Sequence, residues 1–320
     1  MGAAVSIGVG VRHMSQIFTM QELIGNTPLV HLATLSEKTG CTILGKLESA
    51  NPGGSVKDRA ALAMIESAES SGELAHGGHI IEPTSGNTGV ALAFIGVLKG
   101  YLVTLVMPDS MSIERRAILK AYGANVVLTP GHLGMTGAIQ TAEELVAQTP
   151  GAFMPQQFKN PANPQKHRDT TAEEIWRDTD GAIDAFVAGV GTGGTISGVG
   201  SVLKRYQPNI QIVGVEPADS AVISGQAAGP HMIQGIGAGF IPDNLDATVL
   251  DEVITVSNDD ALGMGRYLAR SEGILSGISS GANVHAAVGL AKRPMFKGKT
   301  IVCIICDTGE RYLSTVLFDS

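Results

Sequence analysis

Four glycine-rich clusters carry the side chains whose types and spacing could do chemistry. Gly189-Val190-Gly191-Thr192-Gly193-Gly194 fits G-x-G-x-x-G, follows an apolar run and opens a helical pattern. Successive backbone N–H groups at a helix start suit an anionic phosphate, whether monophosphate or pyrophosphate. Glu216 ends the next apolar run, where a dinucleotide-binding unit would place its ribose-binding acid. Pro83-Thr84-Ser85-Gly86-Asn87-Thr88-Gly89 adds hydroxyls and a carboxamide to such a turn, which suits a carboxylate or a ring oxygen. A helix cap needs only one of these side chains, although a turn without ligand has the same composition. In Asn51-Pro52-Gly53-Gly54-Ser55-Val56-Lys57-Asp58-Arg59, Ser55 and Asp58 have capping-box spacing. Lys57 then falls in the first helical turn, where the helix dipole disfavours a cation. Desolvated there, its amine has a lowered pKa and can form a Schiff base; a surface lysine paired with Asp58 fits the motif equally. Gly277-Ile278-Ser279-Ser280-Gly281 reads as a turn capping a helix from Ala282.

Other chemistries find no footing. The 8 histidines form no H-E-x-x-H and no Cys/His ligand spacing, so no metal site is expected. His76 and His79, flanking Gly77-Gly78, read as solvent-facing loop residues. No G-x-S-x-G elbow is present. Cys303 and Cys306 have C-x-x-C spacing, but the run Ile-Val-Cys-Ile-Ile-Cys reads as a buried strand with core cysteines. A net charge of −8, with no basic run and few aromatics, argues against nucleic acid. No stretch approaches the length of a membrane span. Residues before about Met20 lack the pattern of a signal peptide and read as a leader outside the fold; the expected compartment is cytoplasmic.

These clusters need elements to hold them. Apolar runs at Thr42–Leu47, His79–Glu82, Tyr101–Met107, Asn125–Leu128, Ala182–Ala188, Ile210–Glu216 and Thr300–Cys306 read as strands. Helical patterns at Ser55–Glu69, Val90–Leu98, Ser112–Tyr122, Met135–Gln148, Thr195–Arg205, Leu262–Glu272 and Ala282–Ala291 alternate with them. That alternation implies βαβ units, hence an α/β protein of two open, twisted, mostly parallel sheets with helices on both faces. Pro155–Pro164 is the expected crossing between the halves, and the ligand cleft should lie between them, beyond the carboxyl ends of the strands. The 41 glycines sit singly or in short clusters, which suits tight backbone sites rather than disorder.

Taken in order, NPGGSVKDR, PTSGNTG, QQFKNPANP, GTGGT, QGIGAGFIP and GISSGA resemble the β-family of pyridoxal-phosphate (PLP) enzymes, fold type II, in its cysteine synthase/cystathionine β-synthase branch. The resemblance runs from about Glu22 to Phe318. It implies that Lys57 binds PLP covalently and is the catalytic base, and that Gly191, Thr192, Gly193, Gly194 and Thr195 cradle the phosphate. It further implies Asn87 at the ring oxygen and Ser279 at the ring nitrogen. Thr84, Ser85, Gly86 and Thr88 would take the substrate α-carboxylate, helped by Gln157, with Gln156 as the adjacent alternative. The implied organisation is an N-terminal segment 20–50 packing with the large domain, a smaller mobile substrate domain 51–158 and a larger phosphate-binding domain 159–320. The implied reaction is β-replacement, converting O-acetylserine and sulfide to cysteine and acetate. O-Phosphoserine or thiosulfate as substrates, or cystathionine formation, are the neighbouring alternatives, and an NAD-dependent oxidoreductase is the distant one. A homodimer and capture of a serine acetyltransferase C-terminal peptide are further implied.

Overall fold

The computed structural model describes residues 17–84, 86–109 and 113–318. Ser85 and most of the expected leader lie outside the described residues. In chain order the elements are β1 (Leu29–His31), α1 (Ala33–Thr39), β2 (Thr42–Leu47), α2 (Lys57–Ser71), β3 (His79–Pro83), α3 (Asn87–Lys99), β4 (Leu102–Pro108), α4 (Ile113–Ala121), β5 (Asn125–Thr129), α5 (Gly134–Gln148) and β6 (Ala152–Phe153). There follow α6 (Ala162–Lys166), α7 (Ala172–Asp178), β7 (Ala185–Gly189), α8 (Gly194–Tyr206), β8 (Gln211–Pro217), β9 (Glu252–Val256), α9 (Asn258–Tyr267), α10 (Ile278–Ala291) and β10 (Thr300–Ile305).

Two sheets result. One has the order β1-β2-β10-β7-β8-β9 and the other β5-β4-β3-β6. Every pairing is parallel except β1 with β2. The chain is thus α/β with two parallel-rich sheets, as its alternating pattern implies. Central strands such as β7 (AFVAG) and β10 (TIVCII) are buried along almost their whole length. Helices cover both faces of a parallel sheet, so such strands read as continuous apolar runs instead of alternating ones. On one side of the larger sheet, Val187, Val213, Ile301 and Cys303 pack against α10 residues such as Ala282, Ala286 and Leu290. On the other, Phe186, Ile212 and Val302 pack against α8 residues Ile196, Val199 and Leu203.

The first strand, β9 and the helical stretch 162–178 carry no pattern that the sequence alone makes plain. Three local expectations also need correction. Val56, not Ser55, precedes the first turn of α2, and Asp58 does not complete a capping box. Its carboxylate instead accepts the Gly53 N–H at 2.5 Å, folding the preceding loop back over the helix start. Helix α10 begins at Ile278, so Ser279 and Ser280 lie within its first turn and not in a turn before it. His79 is the first residue of β3, its Nε2 2.7 Å from Thr104 Oγ1, whereas His76 is exposed as expected.

A buried charge cluster ties the start of α2 to the larger sheet. Arg59 is inaccessible to solvent and its guanidinium meets Glu48 at 2.8 Å and Glu174 at 2.7 Å. Lys46, also inaccessible, meets Glu174 at 2.9 Å. The two cations hold Glu174 down to about 2 against the opposing cost of burial. Removing one partner of such a cluster leaves an uncompensated buried charge, which typically costs about 3–5 kcal/mol.

Candidate functional site

The clusters converge at the carboxyl ends of β2, β3, β7 and β10, where parallel strands hand over to helices. Lys57 opens α2, half-buried beneath the β10 end. Burial lowers its pKa, and the nearby Cys306, Asp307 and Glu48 only partly offset that. Among the described residues its ammonium takes no hydrogen bond or ion pair; Asp58 is engaged with Gly53 instead. A desolvated amine without an acid partner is free to react, which disfavours the surface-lysine alternative.

The segment after β10 lies across this lysine loop. Val56 N–H donates to Cys306 O at 2.9 Å, Thr308 N–H donates to Gly54 O at 3.1 Å, and Ser55 and Asp307 form an isolated antiparallel bridge. Asp307 Oδ2 accepts from Asn87 Nδ2 at 2.7 Å, which brings the first turn of α3 to the same place. Cys306, expected in the core, is half-buried at the site, its sulfur accepting from Asn283 Nδ2 at 3.3 Å; burial pushes its thiol up to about 11. Cys303 is the core cysteine, and both are free thiols.

Ser279, buried in the first turn of α10, faces Gly235, and a Cβ added to Gly235 would lie 3.6 Å from its Oγ. Gly235 in turn closes over Gly191, where any Cβ would strike the Gly235 carbonyl oxygen. Gly193 has φ +81°, and a Cβ there would stand 2.8 Å from Leu245 N. These positions form a glycine cradle at the N-terminus of α8 that side chains would fill.

From the cradle, hydrogen bonds lead to the other sheet. Asn163 Nδ2 donates to Thr192 Oγ1 at 2.9 Å and to Gln157 O at 3.0 Å. The Gln157 side chain accepts from Thr88 Oγ1 at 2.5 Å. Gln157 is buried and Gln156 exposed, so the geometry brings Gln157 and not Gln156 to the α3 loop. Thr84 is buried beside it, its Oγ1 3.5 Å from Gly86 N–H. The described residues from Lys57 through Asn87, Ser279, Gly191, Thr192 and Gln157 to Thr88 therefore line one continuous rim.

Two titratable groups stand behind the rim. His167 Nε2 is 3.2 Å from Thr195 Oγ1 and its Nδ1 is 2.8 Å from Thr171 Oγ1. Burial, with Arg59 adding to it, lowers its pKa to about 3, so it is neutral. Glu82 accepts the N–H groups of Gln156 at 3.0 Å and Gln157 at 3.2 Å, and burial raises its pKa to about 7. Sequence reasoning does not single out Asn163, His167, Glu82 or Asp307. Asn163 lies inside the QQFKNPANP stretch, but nothing in its type distinguishes it from a turn residue.

Glu216 overturns the dinucleotide reading. It is buried, and its carboxylate is used internally by Ile223 N–H at 2.9 Å, Ser224 N–H at 3.0 Å and Ser224 Oγ at 2.5 Å. No ribose could claim it without undoing that turn. The donor set fits PLP instead: backbone N–H groups at a helix start for a phosphate, an amine for a carbonyl, a hydroxyl and a carboxamide for a ring. Among the described residues no His/Cys/Asp/Glu group could hold a metal ion, and no helix is long and apolar enough to cross a membrane.

Comparison with known proteins points the same way. Residues 20–307 match the family described as pyridoxal-phosphate dependent enzyme. A cysteine synthase of Staphylococcus aureus is 54% identical over 298 residues, covering 93% of this chain and 96% of the relative. The solved cysteine synthase of Entamoeba histolytica superposes with a TM-score of 0.93 at 45% identity, covering 99% of this chain and 95% of that one. A hydrogen sulfide-producing enzyme from Fusobacterium nucleatum superposes with a TM-score of 0.88 at 46% identity, covering 93% and 99%.

Proposed function

The chain belongs to the pyridoxal-phosphate dependent enzyme family, and from that premise we propose that it is a cysteine synthase. It exchanges the acetate of O-acetyl-L-serine for sulfide, giving L-cysteine and acetate. The observation that carries this reading is the continuous rim joining a desolvated lysine, a glycine phosphate cradle and a hydroxyl-rich carboxylate loop.

When bound, PLP supplies an electron-withdrawing ring that renders the substrate's α-proton acidic. The backbone N–H groups of Gly191–Thr195, at the positive end of α8, would hold its phosphate. Asn87 would donate to the ring oxygen, and the Ser279 hydroxyl would take the ring nitrogen. A hydroxyl there, unlike a carboxylate, would offer the nitrogen no negative charge to hold a proton on it, which would favour loss of a β-substituent over transamination. Thr84, Gly86 and Thr88 hold the substrate α-carboxylate, with Ser85 in the same loop and Gln157 orienting the Thr88 hydroxyl. Lys57 would hold the cofactor covalently, and its amine is the base that takes the substrate's α-proton. Its lowered pKa keeps more of the amine neutral near pH 7 and so able to accept that proton.

The division into 20–50, 51–158 and 159–320, with the middle part closing over substrate, belongs to this reading. So do a cytoplasmic homodimer and the serine acetyltransferase C-terminal peptide as a partner. The test is direct. The purified protein is expected to be yellow and to lose its visible band on borohydride reduction; a colourless protein that PLP cannot reconstitute overturns the reading. Lys57→Ala should abolish both the band's characteristic position and turnover. Rapid mixing with O-acetylserine, O-phosphoserine or serine in turn identifies the donor as the one that shifts the band and releases its leaving group.

A further inference from the structure

Asn87 is held by two charged side chains of opposite sign, both from the segment after β10. Arg311 Nη1 donates to Asn87 Oδ1 at 2.6 Å, and Asn87 Nδ2 donates to Asp307 Oδ2 at 2.7 Å. The two ends of a carboxamide look alike in shape, but not to these partners. Guanidinium can only donate and carboxylate can only accept. The oxygen must therefore face Arg311 and the nitrogen Asp307, and a flipped amide would set N–H against N–H and oxygen against oxygen.

Both holders are themselves anchored. Arg311 Nη2 also donates to Gly53 O in the lysine loop. Asp307 is fully buried and its Oδ2 accepts a second bond from Tyr312 Oη at 2.7 Å. Its Oδ1 is buried with no partner among the described residues. An acid kept in so costly a place, bonded mainly to a neutral amide and a phenol, acts as an acceptor and not as half of a simple ion pair.

We propose that Asp307 and Arg311 are positioning residues that fix the Asn87 carboxamide in one orientation, so that its second N–H is the donor presented to the cofactor ring. The two pairs occupy the Asn87 oxygen and one of its two N–H groups. One N–H is left, which is what a ring hydroxyl or its oxyanion requires. The same two residues span the two sheets: Asn87 starts α3, which packs on the smaller sheet, while Asp307 follows β10 of the larger. The orientation is set only when the α3 loop is seated against residues 307–311. The inference rests on the reading of Asn87 as the ring-oxygen donor.

A double-mutant cycle on the full-length protein tests it, with PLP titrated back into the stripped protein and binding read by absorbance. Asn87→Ala should weaken PLP binding about tenfold, the scale of one lost hydrogen bond in a buried site. Arg311→Met should weaken it comparably and shift the visible band of the bound cofactor. Arg311→Lys, which keeps a donor, should recover part of both effects. In the Asn87→Ala background, Arg311→Met should weaken binding by much less than it does in the parent, because only its contact to Gly53 O is then left to lose. Additive losses in the double mutant, or full-strength binding and an unchanged band in Arg311→Met alone, overturn the positioning role. If instead Asn87→Ala itself binds PLP at full strength, the ring-oxygen role of Asn87 fails, and the positioning role fails with it. Asp307→Asn, whose amide can turn either way, is expected to broaden the band and weaken binding; an unchanged band and full-strength binding in that variant overturn the positioning role of Asp307.

Discussion

The loop between β7 and α8 and the loop between β3 and α3 look interchangeable in sequence, glycine-rich turns leading from a parallel strand into a helix. They are built on different principles. The β7–α8 loop is backbone packed against backbone: a Cβ on Gly191 would strike Gly235, and one on Gly193 would crowd Leu245. The β3–α3 loop is lined by hydroxyls and a carboxamide, and a Cβ on Gly86 would meet nothing within 4 Å among the described residues. The first has a shape complete before any ligand arrives, as suits a cofactor phosphate that stays through every turnover. The second keeps open space and adaptable side chains, as suits a carboxylate that enters and leaves. Behind both loops burial disfavours charge: it lowers the pKa of His167, bonded to Thr195, to about 3, and raises that of Glu82, beneath the Gln156–Gln157 turn, to about 7.

The contrast can be broken experimentally. The largest effect is expected from Gly191→Ala. It should cut PLP affinity by about 100-fold or more and lower the melting temperature, since overpacking against backbone costs roughly 1–3 kcal/mol or more. Thr88→Val should leave the visible band in place yet raise KM for the amino-acid donor about tenfold, because the Gln157 acceptor is left unmet and the carboxylate loop loses the hydrogen bond that seats it. A band shift as large as that of Gly191→Ala would erase the distinction between the loops.

Titration sharpens the comparison with effects of opposite sign. The His167 pKa in the folded protein, about 3, is below that of the unfolded chain, so its contribution to stability is complete above about pH 6.5 and fades as pH falls toward 3. Glu82, about 7 when folded, is above its unfolded value, so stability falls as pH rises from about 4.3 to 7. Denaturant unfolding across pH should show His167→Gln flattening the acid limb and Glu82→Gln the neutral limb, each by about 1–2 kcal/mol. Gly86→Ala has the smallest expected effect: a melting temperature within about 2 °C of the parent, with only a severalfold rise in KM. A destabilisation comparable to Gly191→Ala would show that the β3–α3 loop is as tightly prefilled as the other.

Much of this is legible in the chain because local chemistry and tertiary need coincide there. The strand run at 300–306 is plain because a parallel strand buried on both faces must be apolar almost throughout. The glycine cradle is plain because tight backbone approach excludes a side chain. Other parts are not. Leu29–His31 is three residues long and takes its strand form from pairing with β2, which no local pattern announces. The Ser55–Asp58 spacing satisfies a capping rule, yet Asp58 finds a better donor in Gly53 N–H. Glu216 stands at a ribose-binding position and instead holds its own turn.

The sequence by itself determined the class of fold, a lysine at a helix start, a glycine-packed loop at another, and the order in which they follow one another. Those are properties of hydrophobic period, residue type and steric size, all carried within short segments. Tertiary structure alone decided which side chains serve them. It placed Gln157 and not Gln156 against Thr88, brought Asn163 between Thr192 and the Gln157 carbonyl, and set Asp307 and Arg311 on either side of Asn87 across more than 200 residues of chain. The physical reason is that a hydrogen bond depends on geometry over a few ångströms. The proximity comes from two sheets folding against each other, and no residue's own type encodes it.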